Sequence, residues 1–261
     1  DQKATDGAAV SNMIKDAFIS YVAHPAFVIK AGVIKMPNGM GFTMPGWNLD
    51  IAERGFDKSL VLERNMGLMF SGRAIGGSGK VNGFEMGHER PWTGFGYDIM
   101  VANQASRSKA AKSSPMGGNS YAVRTMFDYT EAFHIETSYA VSQNAGGLDA
   151  VVAKEAEFKD KNEDYNNINV GIDSNLGALS LKAEYFIASN IKGAKDYDET
   201  VATATVGYFV MPSLELVTKY MSGTAQKNAT ATETKLTNAY IGFNYFLSSP
   251  HSNFSRKSKR M

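Results

Sequence analysis

Tyr121-Ala122-Val123-Arg124-Thr125-Met126-Phe127-Asp128-Tyr129 reads as two sequences interleaved. Successive side chains of an extended chain point to opposite faces. Tyr121, Val123, Thr125, Phe127 and Tyr129 therefore share one side, and Ala122, Arg124, Met126 and Asp128 the other. After a turn at Glu131 and Ala132, Phe133, Ile135, Thr137, Tyr139 and Val141 alternate with His134, Glu136, Ser138, Ala140 and Ser142 in the same phase. One face is apolar and the other carries charge. The alternation returns with Leu179, Leu181, Ala183, Tyr185 and Ile187 against Ser180, Lys182 and Glu184, and with Ala239, Ile241, Phe243, Tyr245 and Leu247 against Asn238, Tyr240 and Asn244. Each run is close to the roughly 9 to 11 residues that a tilted strand needs to cross a bilayer.

The connections carry the argument further. Turns near 131, 175–177, 211–213 and 248–250 are short, whereas 104–119, 143–165, 190–199 and 222–234 are long and polar. Short and long alternate throughout, as an outer-membrane barrel requires with its short periplasmic turns and longer external loops. The pattern predicts an all-β, antiparallel transmembrane β-barrel forming one domain over 1–261. A soluble β-sandwich shares the period of two, but its apolar face points inward and its loop lengths have no reason to alternate.

Upstream, the same reading predicts strands over 12–22 and 27–36 joined at His24 and Pro25, a long loop over 37–58, and a strand over 60–70. A tight turn over 75–80 and a strand over 92–103 follow, while 81–91 fits the pattern least. The count is about twelve strands, even in number as in bacterial barrels. If the short turns are periplasmic, a last strand over 253–261 ends at the outer surface, whereas bacterial barrels normally end in the periplasm. An unclosed barrel leaves backbone groups unpaired in lipid at several kcal/mol each. The expectation is a barrel lacking N-terminal strands and a C-terminal closing strand, or one whose edges pair with something else. The chain begins at Asp1 rather than Met, and a processed or incomplete N-terminus is expected.

Composition is compatible with this reading. Of 261 residues, 43% are hydrophobic and 11% aromatic, with no Cys and a formal net charge of +1. No window holds ~18 consecutive apolar residues, so a membrane helix is excluded, and the modest mean hydropathy reflects strands with one wet face. Without Cys, disulfide frameworks and thiol chemistry fall away. The four histidines, His24, His88, His134 and His251, share no ligand spacing, so no metal site and no cofactor are indicated. Gly76-Gly77-Ser78-Gly79-Lys80 has Ala74 where a phosphate loop needs Gly and Val81 where it needs Ser or Thr, and reads as a turn. Asp160, Asn162 and Asp164 are spaced as in a calcium loop, but Tyr165 and Gly171 replace the Gly and the bidentate Glu, leaving a solvated acidic loop as the better reading.

Asp128 and Glu136 can meet across one hairpin, yet nothing supplies a nucleophile or a base in a closed pocket, so no enzyme is predicted. The basic run Arg256, Lys257, Lys259 and Arg260 is expected to meet lipopolysaccharide phosphates or solvent at the rim rather than nucleic acid. Tyr121, Tyr129, Phe133, Tyr208, Phe209 and Tyr245 cluster near strand ends, where interfacial aromatic girdles lie.

Ala17-Phe18-Ile19-Ser20-Tyr21, then Gly32-Val33-Ile34-Lys35-Met36-Pro37, then Glu63-Arg64 with Gly67 and Gly72, resemble in order the aromatic strand, Gly-x-x-Lys-x-Pro segment and Arg-x-x-Gly strand of the phosphate-selective porins. Gly242-Phe243-Asn244-Tyr245-Phe246-Leu247 followed by Asn253-Phe254-Ser255 is similar to that family's penultimate hairpin. The resemblance implies a water-filled bacterial outer-membrane channel of about sixteen strands, usually a homotrimer, passing small anions. It also implies further strands before and after this segment.

Alternation points Arg124, Lys182, Lys219, Lys35 and Arg64 inward, together with Asp98, Asp128, Glu136, Asp173, Glu184 and Glu215. The candidate pore-lining residues are Lys35, Arg64, Arg124, Asp128, Glu136, Lys182, Glu184 and Lys219. Their signs nearly balance, whereas a strongly anion-selective pore calls for a surplus of Arg and Lys at its constriction. The expected function is passive diffusion of small hydrophilic solutes, anions such as phosphate among them. The rival reading is a structural envelope barrel with a plugged lumen; which holds depends on whether loops such as 37–58 fold inside.

Overall fold

Eleven strands follow one another in a single meander: β1 (Ala17–His24), β2 (Phe27–Lys35), β3 (Arg64–Gly79), β4 (Trp92–Ser106), β5 (Asn119–Tyr129), β6 (Phe133–Ser142), β7 (Tyr165–Leu176), β8 (Leu179–Ser189), β9 (Asp198–Met211), β10 (Leu214–Gln226) and β11 (Thr234–Tyr245). This computed structural model describes residues 16–44, 49–51, 54–79, 92–106, 118–130, 132–143, 145 and 162–246. Every strand pairs antiparallel with its sequence neighbours, giving one eleven-stranded sheet in the order β1 to β11. Among the described residues β1 and β11 do not pair with each other, so the sheet is open. The other regular elements include two four-residue helices, α1 (Met40–Thr43) and α2 (Asp57–Leu60), both in the long connection between β2 and β3.

Burial runs opposite to that of a soluble protein. On β5 to β10 the apolar phase is exposed: Tyr139 and Ile168 each keep 46% of their surface, and Val123, Val170, Tyr185 and Tyr208 lie on the same side. The polar phase is buried, with Asp98, Asp128 and Glu215 at 0%. What buries it is the β2–β3 connection. The Phe42 ring centroid lies 4.4 Å from Lys35 Nζ on β2, while the amide of the preceding Gly41 bonds Glu184 on β8. A flat sheet would hold β2 and β8 about 29 Å apart, at roughly 4.8 Å per strand. Adjacent residues reach both, so the sheet curls around the connection with its polar face inside.

Several boundaries differ from those the sequence predicts. The glycine-rich stretch 75–79 is not a tight turn; it continues β3 to Gly79. Its ladder to β4 slips between Gly72 and Ile75 and again between Ile75 and Ser78, with Ala74 and Gly76 at positive φ. Bulges insert residues without ending a strand, and local sequence cannot distinguish them from a turn. At Gly77 a Cβ would stand 1.8 Å from the Thr93 carbonyl oxygen, so the close strand approach there admits only glycine. The predicted strand over 60–70 begins later, at Arg64, because Leu60 closes α2. The turn expected at 175–177 lies at 177–178, past the end of β7. Pro25 and Ala26 make the first turn, with the Ala26 amide donating to His24 Nδ1 at 3.1 Å. Eleven strands are described rather than twelve; the one expected over 253–261, the run 81–91, Glu131 and the basic residues 256–260 lie outside the described residues.

Candidate functional site: a loop bonded inside the curled sheet

The β2–β3 connection enters the sheet with an apolar underside. Met36, Met40, Phe42, Met44, Leu60, Val61 and Leu62 are all buried. Methionine adapts to an irregular surface better than branched residues do. A four-residue helix cannot hold itself together in water, and α1 has no side-chain cap of its own. Its leading amides instead meet the wall. Gly39 N–H donates to Ser138 Oγ on β6 at 3.2 Å, Met40 N–H to Asn169 Oδ1 on β7 at 3.3 Å, and Gly41 N–H to both Glu184 carboxylate oxygens on β8 at 3.2 and 3.1 Å.

The two ends of the connection are tied to the same strand. Asn38 Nδ2 donates to Asn167 Oδ1 at 2.5 Å and its Oδ1 accepts from the Leu62 amide at 3.1 Å. The Leu60 carbonyl accepts from Asn167 Nδ2 at 2.8 Å and from the Tyr165 hydroxyl. The far half reaches the strands beyond. Asp50 pairs with Lys182 on β8 at 2.8 Å, its carbonyl accepts from Asn244 on β11 at 3.0 Å, and Lys219 on β10 donates to the Arg54 carbonyl. The Arg54 guanidinium folds back onto α1, donating to the carbonyls of Gly41, of Phe42 at 3.1 Å and of Met44 at 2.7 Å. Burial pulls Arg54 below its ordinary basicity, while the charges of Asp57 and Glu184 act to hold it up.

On the other side of the loop, the inner faces of β3 to β6 carry a chain of buried charges. Arg73 Nη2 donates to both Asp98 oxygens at 3.0 Å, and Arg124 donates to Asp98 Oδ2 through Nε at 2.8 Å and Nη2 at 2.5 Å. Arg124 Nη1 reaches Glu136 Oε2 at 3.4 Å and the loop hydroxyl of Thr43 at 3.0 Å. His134 lies between Asp128 Oδ1 at 2.8 Å and Glu136 Oε2 at 3.0 Å. Register makes this possible, since Asp98 stands directly opposite Arg124 and Asp128 directly opposite His134. Charges removed from water persist only when paired.

The structure thus gathers Arg124, Asp128 and Glu136 into one network, and places Glu184, Lys182 and Lys219 against the loop. Lys35 and Arg64 stand apart from the charge network, though Lys35 Nζ lies 4.4 Å from the Phe42 ring of the loop. They face each other in register and so share a face: Arg64 falls on the phase of Met66 and Leu68, opposite to Asn65 and Met69, and Lys35 on the phase of Ala31 and Val33, opposite to Lys30 and Ile34, which corrects the inward direction expected for both. For Arg64, irregular pairing at the start of β3 hides this from a count of alternation. Arg64 pairs with Asp16 at 2.7 Å, at the exposed strand end. Asp173 lies 4.0 Å from Lys182, and Glu215 accepts from Asn244 at 3.0 Å.

Sequence reasoning missed Arg73, because it precedes glycines read as a turn. It also missed Arg54 and Asn38, which lie in the loop. Asn167 and Asn169 were findable: they occupy the inward phase of β7 on either side of Ile168, and a pair of neutral amides there invites a partner. Of the calcium-like spacing, Asp160 lies outside the described residues, and the Asp164 carbonyl accepts from Asn166 at 2.8 Å and Asn190 at 3.4 Å. No protein-family model matches the chain, and no curated protein matches it.

Proposed function

We propose that this chain belongs to a bacterial outer-membrane β-barrel of the phosphate-selective porin type, through which small hydrophilic solutes diffuse. In this reading the β2–β3 connection is the constriction and three copies associate, as the resemblance implies. The observation that carries it is the inverted burial: Tyr139, Ile168 and Val170 face outward and exposed while Asp98, Arg124 and Asp128 are buried within the curl. That distribution suits lipid outside and a polar lumen inside. Closing such a barrel requires the β1 and β11 edges to be paired, since unpaired backbone groups are costly in lipid. The inner charges are of both signs and largely paired with one another, so the reading carries phosphate preference only as far as the resemblance does.

A second reading has its own support. The connection bonds to β5, β6, β7, β8, β10 and β11, which is the extent of contact expected of a plug in a structural barrel. Single-channel recording in planar bilayers under a salt gradient separates the two. Stepwise conductance supports the channel, and its reversal potential reads anion preference. A folded, heat-modifiable protein that never conducts leaves the structural barrel.

A further inference from the structure

Between the far half of the loop and strands β8 to β10 lies a small cavity open to solvent, with a volume of about 50 Å³, room for a few water molecules or a solute of a few heavy atoms. Its floor is ordered by register. Thr205 on β9 stands opposite Lys182 on β8 and opposite Lys219 on β10, giving a row of cation, hydroxyl and cation. Two residues along the same face, Thr203 stands opposite Glu184 and opposite Met221. The basic and acidic rows are about 7 Å apart, at roughly 3.4 Å of rise per residue. Asp57 of the loop joins the acidic row. Glu184 Oε2 and Asp57 Oδ2 lie 2.9 and 3.3 Å from the point where a Cβ on Gly41 would stand, so the two carboxylates converge.

Three further features mark this as more than a charged surface. Thr205 is 9% exposed, and neither its hydroxyl nor that of Thr203 hydrogen-bonds to any described residue. The Glu184 carboxylate accepts from Gly41 and from Asn169 at 2.9 Å, and among the described residues it forms no ion pair. The Arg54 guanidinium, held by carbonyls, forms none either. At the basic row the loop's own Asp50 carboxylate sits 2.8 Å from Lys182, which shows the carboxylate placement that row accepts. Counted at their formal charges, Arg54, Lys182 and Lys219 against Asp50, Asp57 and Glu184 sum to zero. A neutral sum gives no advantage to a simple anion or cation, whereas segregated signs favour a solute carrying both.

We propose that this cavity binds a small zwitterion of the α-amino-acid class. Its carboxylate is received by Lys219 and the Thr205 hydroxyl, and its ammonium by Glu184 and Asp57, with the Thr203 hydroxyl between. The inference deepens the channel reading by naming a solute class, and rests on it for the claim that binding serves passage.

The test titrates the detergent-purified protein, by saturation-transfer NMR, with L-alanine, with lactate, which lacks the ammonium, and with alaninol, which lacks the carboxylate. Alanine is expected to bind at least tenfold more tightly than either. Glu184→Gln should abolish its advantage over lactate, and Lys219→Met its advantage over alaninol. Thr205→Val, a near-isosteric change that spares the charges, should weaken alanine several-fold. Equal binding of the three solutes, or tighter binding of lactate, overturns the proposal. A protein that conducts salt yet does not discriminate them retains the channel reading and loses this one; a protein that binds alanine without conducting does the reverse.

Discussion

Replacing Arg124 by methionine tests whether the buried charge chain holds the wall together. The change keeps length and apolar bulk but removes all five guanidinium donors. Four contacts disappear: two to Asp98 at 2.8 and 2.5 Å, one to Glu136 at 3.4 Å and one to Thr43 at 3.0 Å. Deleting one partner of a buried pair costs about 3–5 kcal/mol, chiefly because a charge is left behind. Here Asp98 keeps Arg73 at 3.0 Å and Glu136 keeps His134 at 3.0 Å, so neither carboxylate is abandoned. The expected loss is therefore at the lower end, about 3 kcal/mol, more than a hundredfold in the folding equilibrium. Urea titration of folding into vesicles, read by heat-modifiable migration, measures it. If the loss comes from uncompensated charge, adding Glu136→Gln to the Arg124→Met protein, which leaves the Arg73–Asp98 pair intact, should recover at least half. A loss under about 1 kcal/mol, or no recovery in the double variant, refutes this account of the network.

Val170 lies in the middle of β7 on the exposed apolar phase; Val170→Arg should cost about 2–4 kcal/mol in vesicles if that phase meets lipid, and within about 0.5 kcal/mol of nothing if it meets water. Gly55 has φ +93°, and a Cβ there would stand 2.1 Å from Met221 Sδ. Gly55→Ala should accordingly destabilise the fold by about 1–3 kcal/mol, and Met221→Ala in the same chain should relieve only the steric part; full relief would mean the backbone is unstrained. Tyr165→Phe removes one of two donors to the Leu60 carbonyl and should cost about 1 kcal/mol in the urea titration, whereas Asn167→Ala, which takes away the other donor together with the Asn38 partner, should cost more.

The strands were legible because their signal is local. On β5 and β6 a period of two runs unbroken, and the register that brings Asp128 opposite His134 follows from the short turn between these strands. β3 was legible only in part, because its bulges at Ala74 and Gly76 cancel the phase that alternation relies on. That is why Arg73 was overlooked; Arg64 was given the wrong face because the ladder also slips at the start of the strand, between Asn65 and Gly67. The loop contacts were not legible at all. Asn38 and Asn167 are separated by 129 residues and Lys219 and Arg54 by 165. Nothing in either local stretch specifies the other; only the curl of the sheet brings them together.

Loop and wall each supply what the other lacks. The amides of Gly39, Met40 and Gly41 belong to a helix too short to stand alone, and a helix start leaves its first amides without backbone acceptors. Ser138, Asn169 and Glu184 are polar groups on a face that the loop closes off from water, where an unmade hydrogen bond costs about 1–3 kcal/mol. Joining them satisfies both sets without a further backbone element. The dependence is not uniform along the loop. From Asn38 to Met44 it rests on several wall strands and on buried apolar side chains; at Asp50 and Arg54 the wall contacts include Lys182, Lys219 and Asn244. The cavity with its two opposed rows lies beside that second half. Asp50, Arg54, Lys182 and Lys219 line that cavity, so a solute held by Lys219 and Thr205 would sit directly against the contacts that fix this half of the loop.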